Sequence, residues 1–336
     1  MDNITIIGMG LIGTSIGLAL KQAQLDLNIV GTDRDRGVAN RAQRRGAADS
    51  IEPNLLTAVR GARLVIIATP VGAIEEIMKI IGPELDDGCV VTDTGTTKVQ
   101  VLQWAEQHLP STVSFVGGHP MAGIELSGPD AAQADLFHGA NYCILPAQNV
   151  PDHAVKTIVS MVETVGAKPY FIDPVEHDSY VAAVSNLPMI LSMVLVNVTS
   201  GSPSWPEIAK LASTGFRDVS RLASGDPEMS RDICLTNLEH IVHWIDQFII
   251  ELYAFRGLVQ EGGDRPLTQV FDRAWESRDR WLQNKVTAPS AQQEVALPST
   301  AESMGGLLFG DRAAGRMREM LNWQREDKGK RGGDSS

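Results

Sequence analysis

Ile4-Thr5-Ile6-Ile7-Gly8-Met9-Gly10-Leu11-Ile12-Gly13 decides the fold of the first half of this chain. Four β-branched residues run into glycines spaced G-x-G-x-x-G, and the residues after Gly13 take up helical periodicity. A strand feeding such a turn, which in turn opens a helix, is the setting in which the spacing reads as a dinucleotide-binding loop. Gly8 permits the tight turn, Gly10 lets backbone approach a pyrophosphate, and Gly13 lets the helix pack closely on the sheet. Leu11 and Ile12 stand where helix-start amides lack intrahelical partners and carry partial positive charge toward a phosphate. Twenty residues past Gly13 comes Asp33, whose carboxylate would accept the adenosine ribose hydroxyls and repel a 2′-phosphate. NAD is therefore expected over NADP, a preference that Arg34 and Arg36 beside it would soften.

Outward from this loop, short apolar β-rich runs alternate with helical stretches: Ile4 to Ile7, Asn28 to Thr32, Leu64 to Ala68, Cys89 to Thr92 and Val113 to Val116. Such alternation calls for a parallel sheet covered by helices on both faces. Thr69-Pro70 follows the Leu64 to Ala68 run and would lie on the carboxyl edge of the sheet, where such folds bind ligands; an ordinary strand-ending turn is the plainer alternative. Two further strands are expected at Asn141 to Leu145 and Lys168 to Ile172, with a helix from about Pro151 between them.

After Asp173 strand signals stop. Pro174 to Val198 is apolar almost all round, which predicts a buried helix. From Met229 a stripe of Ile233, Ile241, Trp244, Ile245, Phe248, Ile249 and Leu252 marks an amphipathic one. These helices are too apolar for one small bundle to cover, so burial shared across a homodimer is expected. Residues 284–300 read as a linker, 301–323 as a short amphipathic helix and 328–336 as a polar tail. The expected domains are 1–173, a nucleotide-binding α/β unit; 174–283, all-helical; and 284–336.

The 336 residues suffice for about two domains, and 43% hydrophobic with 21% charged residues is a globular composition. A net charge of −12 argues against a general nucleic-acid partner. Three scattered cysteines without a CxxC signal neither a disulfide framework nor a metal site. With no basic leader and no run of ~18 consecutive apolar residues, a cytoplasmic protein without a membrane span is expected.

Gly117-Gly118-His119-Pro120-Met121-Ala122-Gly123 places a histidine at a strand end, in what reads as a sharply turning segment, where it could act as a base. This segment, with GMGLIG at 8–13, DTGTTK at 93–98, HDSYVAAVSNLP at 177–188 and TGFRDVSRLASGDPEMSRDI at 214–233, resembles the prephenate/arogenate dehydrogenase family of tyrosine biosynthesis. The resemblance runs from Ile4 to about Leu282. It implies an α/β N-terminal Rossmann-type domain with a parallel-rich sheet, an all-α C-terminal dimerisation domain, and an NAD-dependent oxidative decarboxylation of a cyclohexadienol. By that resemblance His119 matches the catalytic histidine and Thr96 stands where the family carries a serine bonding the substrate hydroxyl. Arg221 matches the arginine that anchors a substrate carboxylate, and Glu125 an acidic residue near the pocket mouth. Plainer roles exist for each: an ion-pair partner for Arg221, a helix N-cap for Thr96 and a solvated carboxylate for Glu125. His177-Asp178 opens the helical half, where the adjacent carboxylate could hold the imidazole in one tautomer; a helix-start capping pair is the plainer account.

Where many relatives read Ser-His-Leu-Pro-His, this chain has Ser185-Asn186-Leu187-Pro188-Met189. Asn186 and Met189 thus bear on the substrate side chain, and arogenate or 4-amino-4-deoxyprephenate stands as the alternative to prephenate. Other two-domain dehydrogenases that place a lysine in the corresponding long helix fit less well, since Tyr180 to Ser200 contains none. A non-catalytic NAD-binding regulatory protein is the alternative of a different class; it would need no base beside the nicotinamide.

Overall fold

A computed structural model describes residues 2–283 apart from Glu125, together with 285 and 286. The expected linker, helix and tail beyond these lie outside the described residues. The first unit alternates β1 (Asp2–Ile7), α1 (Leu11–Gln22), β2 (Leu27–Thr32), α2 (Arg36–Arg44), β3 (Ser50–Ile51), α3 (Leu55–Val59), β4 (Leu64–Ile67), α4 (Val71–Ile81), β5 (Val90–Asp93), α5 (Val99–His108) and β6 (Ser114–Pro120). It continues through β7 (Asn141–Pro146), α6 (Asp152–Thr164) and β8 (Lys168–Phe171).

The strands form one sheet in the order β3-β2-β1-β4-β5-β6-β7-β8, parallel except where β7 runs against β6. Chain direction reverses its winding between β1 and β4, so the crevice at their carboxyl ends is the ligand-binding position of a doubly wound sheet. Both faces are covered, as continuous apolar strands require. Leu64 and Ile66 point to a core shared with α1 and α6, whereas Val65 and Ile67 point to one shared with α4 and α5. Burying each such side chain contributes roughly 1.5–3 kcal/mol. The two-residue β3 gave no signal in the sequence, being too short for an alternating pattern.

The helices that follow are α7 (Pro174–Val181), α8 (Leu187–Ser200), α9 (Trp205–Leu211), α10 (Thr214–Ser220), α11 (Pro227–Thr236), α12 (Leu238–Glu261) and α13 (Asp264–Leu282). Asp173 caps α7, accepting from the backbone N–H of Val175 at 2.8 Å and of Glu176 at 3.2 Å. That corrects the reading of His177-Asp178 as the capping pair. Between α7 and α8 the chain makes a π-turn over Ala182–Asn186, a distortion that frequently marks a functional site. Within this chain alone the segment is not fully covered: Val184 and Val198 are 70% and 71% exposed. Segment Pro174–Ser200 has a mean hydropathy of 1.9 over its most apolar window and reaches membrane-spanning length. Ser185, Asn186 and Ser192 interrupt its apolar run, so it holds no long stretch of consecutive apolar residues.

The chain divides into two compact units, Met1–Trp244 and a second starting at Ile245. In the second, Phe255 and Phe271 meet edge to face with ring centroids 5.8 Å apart.

Candidate active site

The loop from Gly8 to Gly13 joins β1 to α1 beside the turn that follows β4. Gly8 adopts φ +92°, and a Cβ there would lie 2.6 Å from the Ala68 carbonyl oxygen; at Gly13 it would lie 2.0 Å from the Gly8 carbonyl oxygen. Both positions therefore require glycine, whereas Gly10 faces open space. Leu11 and Ile12 begin α1, so their amides lack intrahelical partners, the first intrahelical bond at this end running from Thr14 N–H to the Gly10 carbonyl. Asp33 shapes this loop as well as facing it: its carboxylate accepts from the backbone N–H of Met9 and of Asp35, each at 2.8 Å. A carboxylate offers about four acceptor sites, so acceptor capacity remains for ribose hydroxyls. Arg34 is exposed next to it. Thr69 and Pro70 lead into α4, and the Thr69 hydroxyl is buried without a partner among the described residues. An open glycine cradle, a helix N-terminus and an orphaned hydroxyl on one crevice fit a dinucleotide.

His119 lies within β6 rather than in a turn after it, paired with Cys143 on antiparallel β7. The preceding glycines serve close approach: a Cβ at Gly118 would lie 2.6 Å from the Asp93 carbonyl oxygen and 2.9 Å from the Tyr142 ring. Sequence alone could not separate this use of glycine from a turn.

Beneath that strand Lys98 pairs with Asp93, both side chains entirely buried, and Lys98 Nζ donates to the Gly118 carbonyl at 2.9 Å. Asp93 in turn accepts from the Gly118 N–H at 3.2 Å and the Gly95 N–H at 2.7 Å. Asp93 and Lys98 bound the DTGTTK segment, and their five-residue spacing around Gly95 is the only sequence signal of this pair.

His119 Nδ1 lies 2.9 Å from Nε2 of His177, and His177 Nδ1 lies 2.7 Å from the Asp178 carboxylate. The two imidazoles meet edge to face at 76°. Burial holds the His119 pKa well below that of an ordinary histidine, with His177 and Lys98 adding to the effect. The ring is thus neutral at neutral pH, as a base must be. Asp178 also accepts from the backbone N–H of Lys98 at 2.8 Å and of Val99 at 2.9 Å, capping α5 from another element. Thr96 is therefore no N-cap. It sits half-buried in the loop before α5, which Thr97 ties to Thr236 of α11 by a 2.8 Å hydroxyl pair.

Asn186 is 1% exposed. Its Oδ1 accepts from Asn237 Nδ2 at 3.1 Å, while its own Nδ2 is buried without a partner among the described residues. Asn237 Nδ2 also donates to the Asp178 carbonyl at 2.8 Å. Met189 is half-buried on α8. Arg221 opens the short helical turn after α10 and lines, with Pro188, Ser192 and Asp218, a cavity of about 330 Å³. Glu125 lies outside the described residues.

The sequence models of two families match the chain: "Prephenate dehydrogenase, nucleotide-binding domain" over residues 16–171 and "Prephenate dehydrogenase, dimerization domain" over 173–273. The chain is 35% identical to the prephenate dehydrogenase of Bacillus subtilis over 280 residues, 83% of this chain and 76% of the relative. It is 31% identical to the cyclohexadienyl dehydrogenase of Zymomonas mobilis over 265 residues, 78% of this chain and 90% of that one. Among solved structures it superposes on Aquifex aeolicus prephenate dehydrogenase, in complex with hydroxyphenyl propionate and NAD+. That match has a TM-score of 0.78 and 27% identity, over 83% of this chain and 98% of that one. Synechocystis arogenate dehydrogenase superposes with a TM-score of 0.70 and 26% identity, over 83% and 99% of the two chains.

Proposed function

The chain belongs to the prephenate dehydrogenase family, and on that premise we propose that it oxidatively decarboxylates prephenate to 4-hydroxyphenylpyruvate with NAD as hydride acceptor. The observation that carries this reading is His119, a buried imidazole held neutral at the carboxyl edge of a nucleotide-binding sheet. NAD, when bound, takes up the hydride from ring C4. His119 accepts the proton of the C4 hydroxyl, with the Thr96 hydroxyl beside that oxygen. The C1 carboxylate leaves as CO2, its bonding electrons entering the ring as it becomes aromatic, and the proton held by His119 returns to the ring oxygen to give the phenol. Aromatisation supplies the driving force, so the protein's task is to orient and to hold the proton. Arg221 would bind a carboxylate of the substrate through its planar fork. Gly8, Gly10, Gly13, Leu11, Ile12 and Thr69-Pro70 would hold the dinucleotide, and Asp33 its ribose in preference to a 2′-phosphate.

The reading of prephenate over arogenate draws on Asn186. The Asp178 carbonyl can only accept, which orients the Asn237 amide, and Asn237 then fixes Asn186 with its oxygen occupied. Asn186 thereby presents N–H donors, which suit the oxygens of a pyruvyl side chain and not the ammonium of arogenate. Met189 offers only a weak sulfur acceptor.

The meeting of the two family matches between residues 171 and 173 supports a domain boundary at 173/174. A homodimer through the helical half is supported by the name of the second family and by the apolar surface that Val184 and Val198 leave uncovered.

The deciding experiment is NADH production by purified protein offered prephenate, arogenate and 4-amino-4-deoxyprephenate in parallel, with NAD and with NADP. Turnover of prephenate with NAD as the preferred pair is expected. Binding of NAD without turnover of any of the three would favour the regulatory reading instead.

A further inference from the structure

The assignment of His119 as the base leaves open which of its nitrogens takes the proton, and what sets that choice. A chain of hydrogen bonds answers it. Asp178 is buried, and its carboxylate accepts from the N–H groups of Lys98 and Val99, so both oxygens act as acceptors. His177 Nδ1, 2.7 Å away, must therefore carry a hydrogen and donate it. In a neutral imidazole the second nitrogen is then bare. His177 Nε2 accordingly accepts across 2.9 Å from His119 Nδ1, which leaves the lone pair of His119 on Nε2.

We propose that His177 and Asp178 are positioning residues which, through this chain of tautomers, present Nε2 of His119 as the proton-accepting atom. The proposal rests on His119 being the base. When Nε2 takes the hydroxyl proton, the resulting imidazolium still donates through Nδ1 to His177, so the protonated state is stabilised without any ring turning. Because the same carboxylate caps α5, the Thr96 loop and the base are registered to one another by a single side chain.

The substitution Asp178→Asn reverses the chain. An asparagine that keeps its oxygen on the α5 amides turns its NH2 toward His177 Nδ1, which must then be bare. His177 would donate from Nε2, and the hydrogen of His119 would move to Nε2, blocking the base. A wrong tautomer at a positioned histidine costs roughly 10²–10⁴-fold in turnover. We expect kcat for the turned-over substrate to fall by that factor with KM and NAD affinity within about twofold of wild type.

His177→Gln supplies an acceptor oxygen toward His119 and a donor toward Asp178, and should retain kcat to within about tenfold. His177→Leu should lose as much as Asp178→Asn. These two variants leave the α5 cap in place and keep the proposal testable if Asp178→Asn does not fold. Independently of activity, ¹⁵N NMR of histidine-labelled protein should show His119 unprotonated at Nε2 in the wild type and protonated there in Asp178→Asn. Wild-type kcat in both Asp178→Asn and His177→Leu, with His119→Asn inactive, would overturn the relay while leaving the base assignment standing. Wild-type turnover in His119→Asn would overturn both.

Discussion

Lys98 and Asp93 form an ion pair in which neither side chain reaches solvent, and the ammonium also holds the carbonyl of Gly118, one residue before His119. Removing two charges from water is costly, so such a pair is weak evidence of stability for its own sake. Its place here is geometric. It ties the end of β5 to the strand carrying His119, and its positive charge helps keep that imidazole neutral.

Breaking the pair should be far worse than never having had it. Lys98→Met leaves Asp93 buried and uncompensated, with an expected loss of about 3–5 kcal/mol in unfolding free energy. Denaturant titration of the two proteins measures this; a loss under 1 kcal/mol would mean that water reaches Asp93.

The depressed pKa of His119 fixes the sign of two pH effects. With His119 as the proposed base, active in its neutral form, kcat/KM should hold its plateau as pH falls through 6.5, the usual histidine value, and drop only well below it. Stability follows the same direction: the unfolded chain binds the His119 proton more readily than the folded one. Folded-state stability from this group is complete above the unfolded pKa and is lost as pH falls toward the folded pKa. A kinetic limb centred at 6.5 would show that His119 is not the titrating base.

Asp33→Ser removes the carboxylate that would repel a 2′-phosphate, beside exposed Arg34. It also frees the N–H groups of Met9 and Asp35. The ratio of kcat/KM for NADP over NAD should rise at least about tenfold, or ~1.4 kcal/mol, with affinity for NAD falling. An unchanged ratio would remove Asp33 from the ribose site.

Gly118→Ala tests whether the glycine serves close approach. The added Cβ would meet the Asp93 carbonyl at 2.6 Å, and the resulting strain should cost about 1–3 kcal/mol while displacing His119. Thermal unfolding and kcat together read it; a variant neutral in both would return Gly118 to an ordinary strand position.

Arg221→Ala should raise KM for substrate, by about 1.5–3 kcal/mol for a charge-assisted bond, leaving NAD affinity unchanged. Equal KM in variant and wild type would make Arg221 a surface residue of its cavity.

Much of this was legible in the sequence because its causes are local. The Gly8 to Gly13 spacing, the β-branched strands and Asp33 report backbone and short-range chemistry, which neighbouring residues determine by themselves. His119 stood out through its glycines, although the sequence assigned them to a turn and the structure to a crowded strand crossing. What only the tertiary structure decided are the relations between residues far apart in the chain. No local pattern announces that His177 will meet His119 across 58 positions, that Asp178 will cap α5, or that the buried Lys98 ammonium will reach the Gly118 carbonyl on another strand. The segment from Pro174 shows the same division. Its apolar composition is a property of the sequence, but whether that surface is covered depends on which partner packs against it, and the folded chain leaves Val184 and Val198 outside. Hydrophobicity states that a surface must be buried; only the packed arrangement of separate elements states by what.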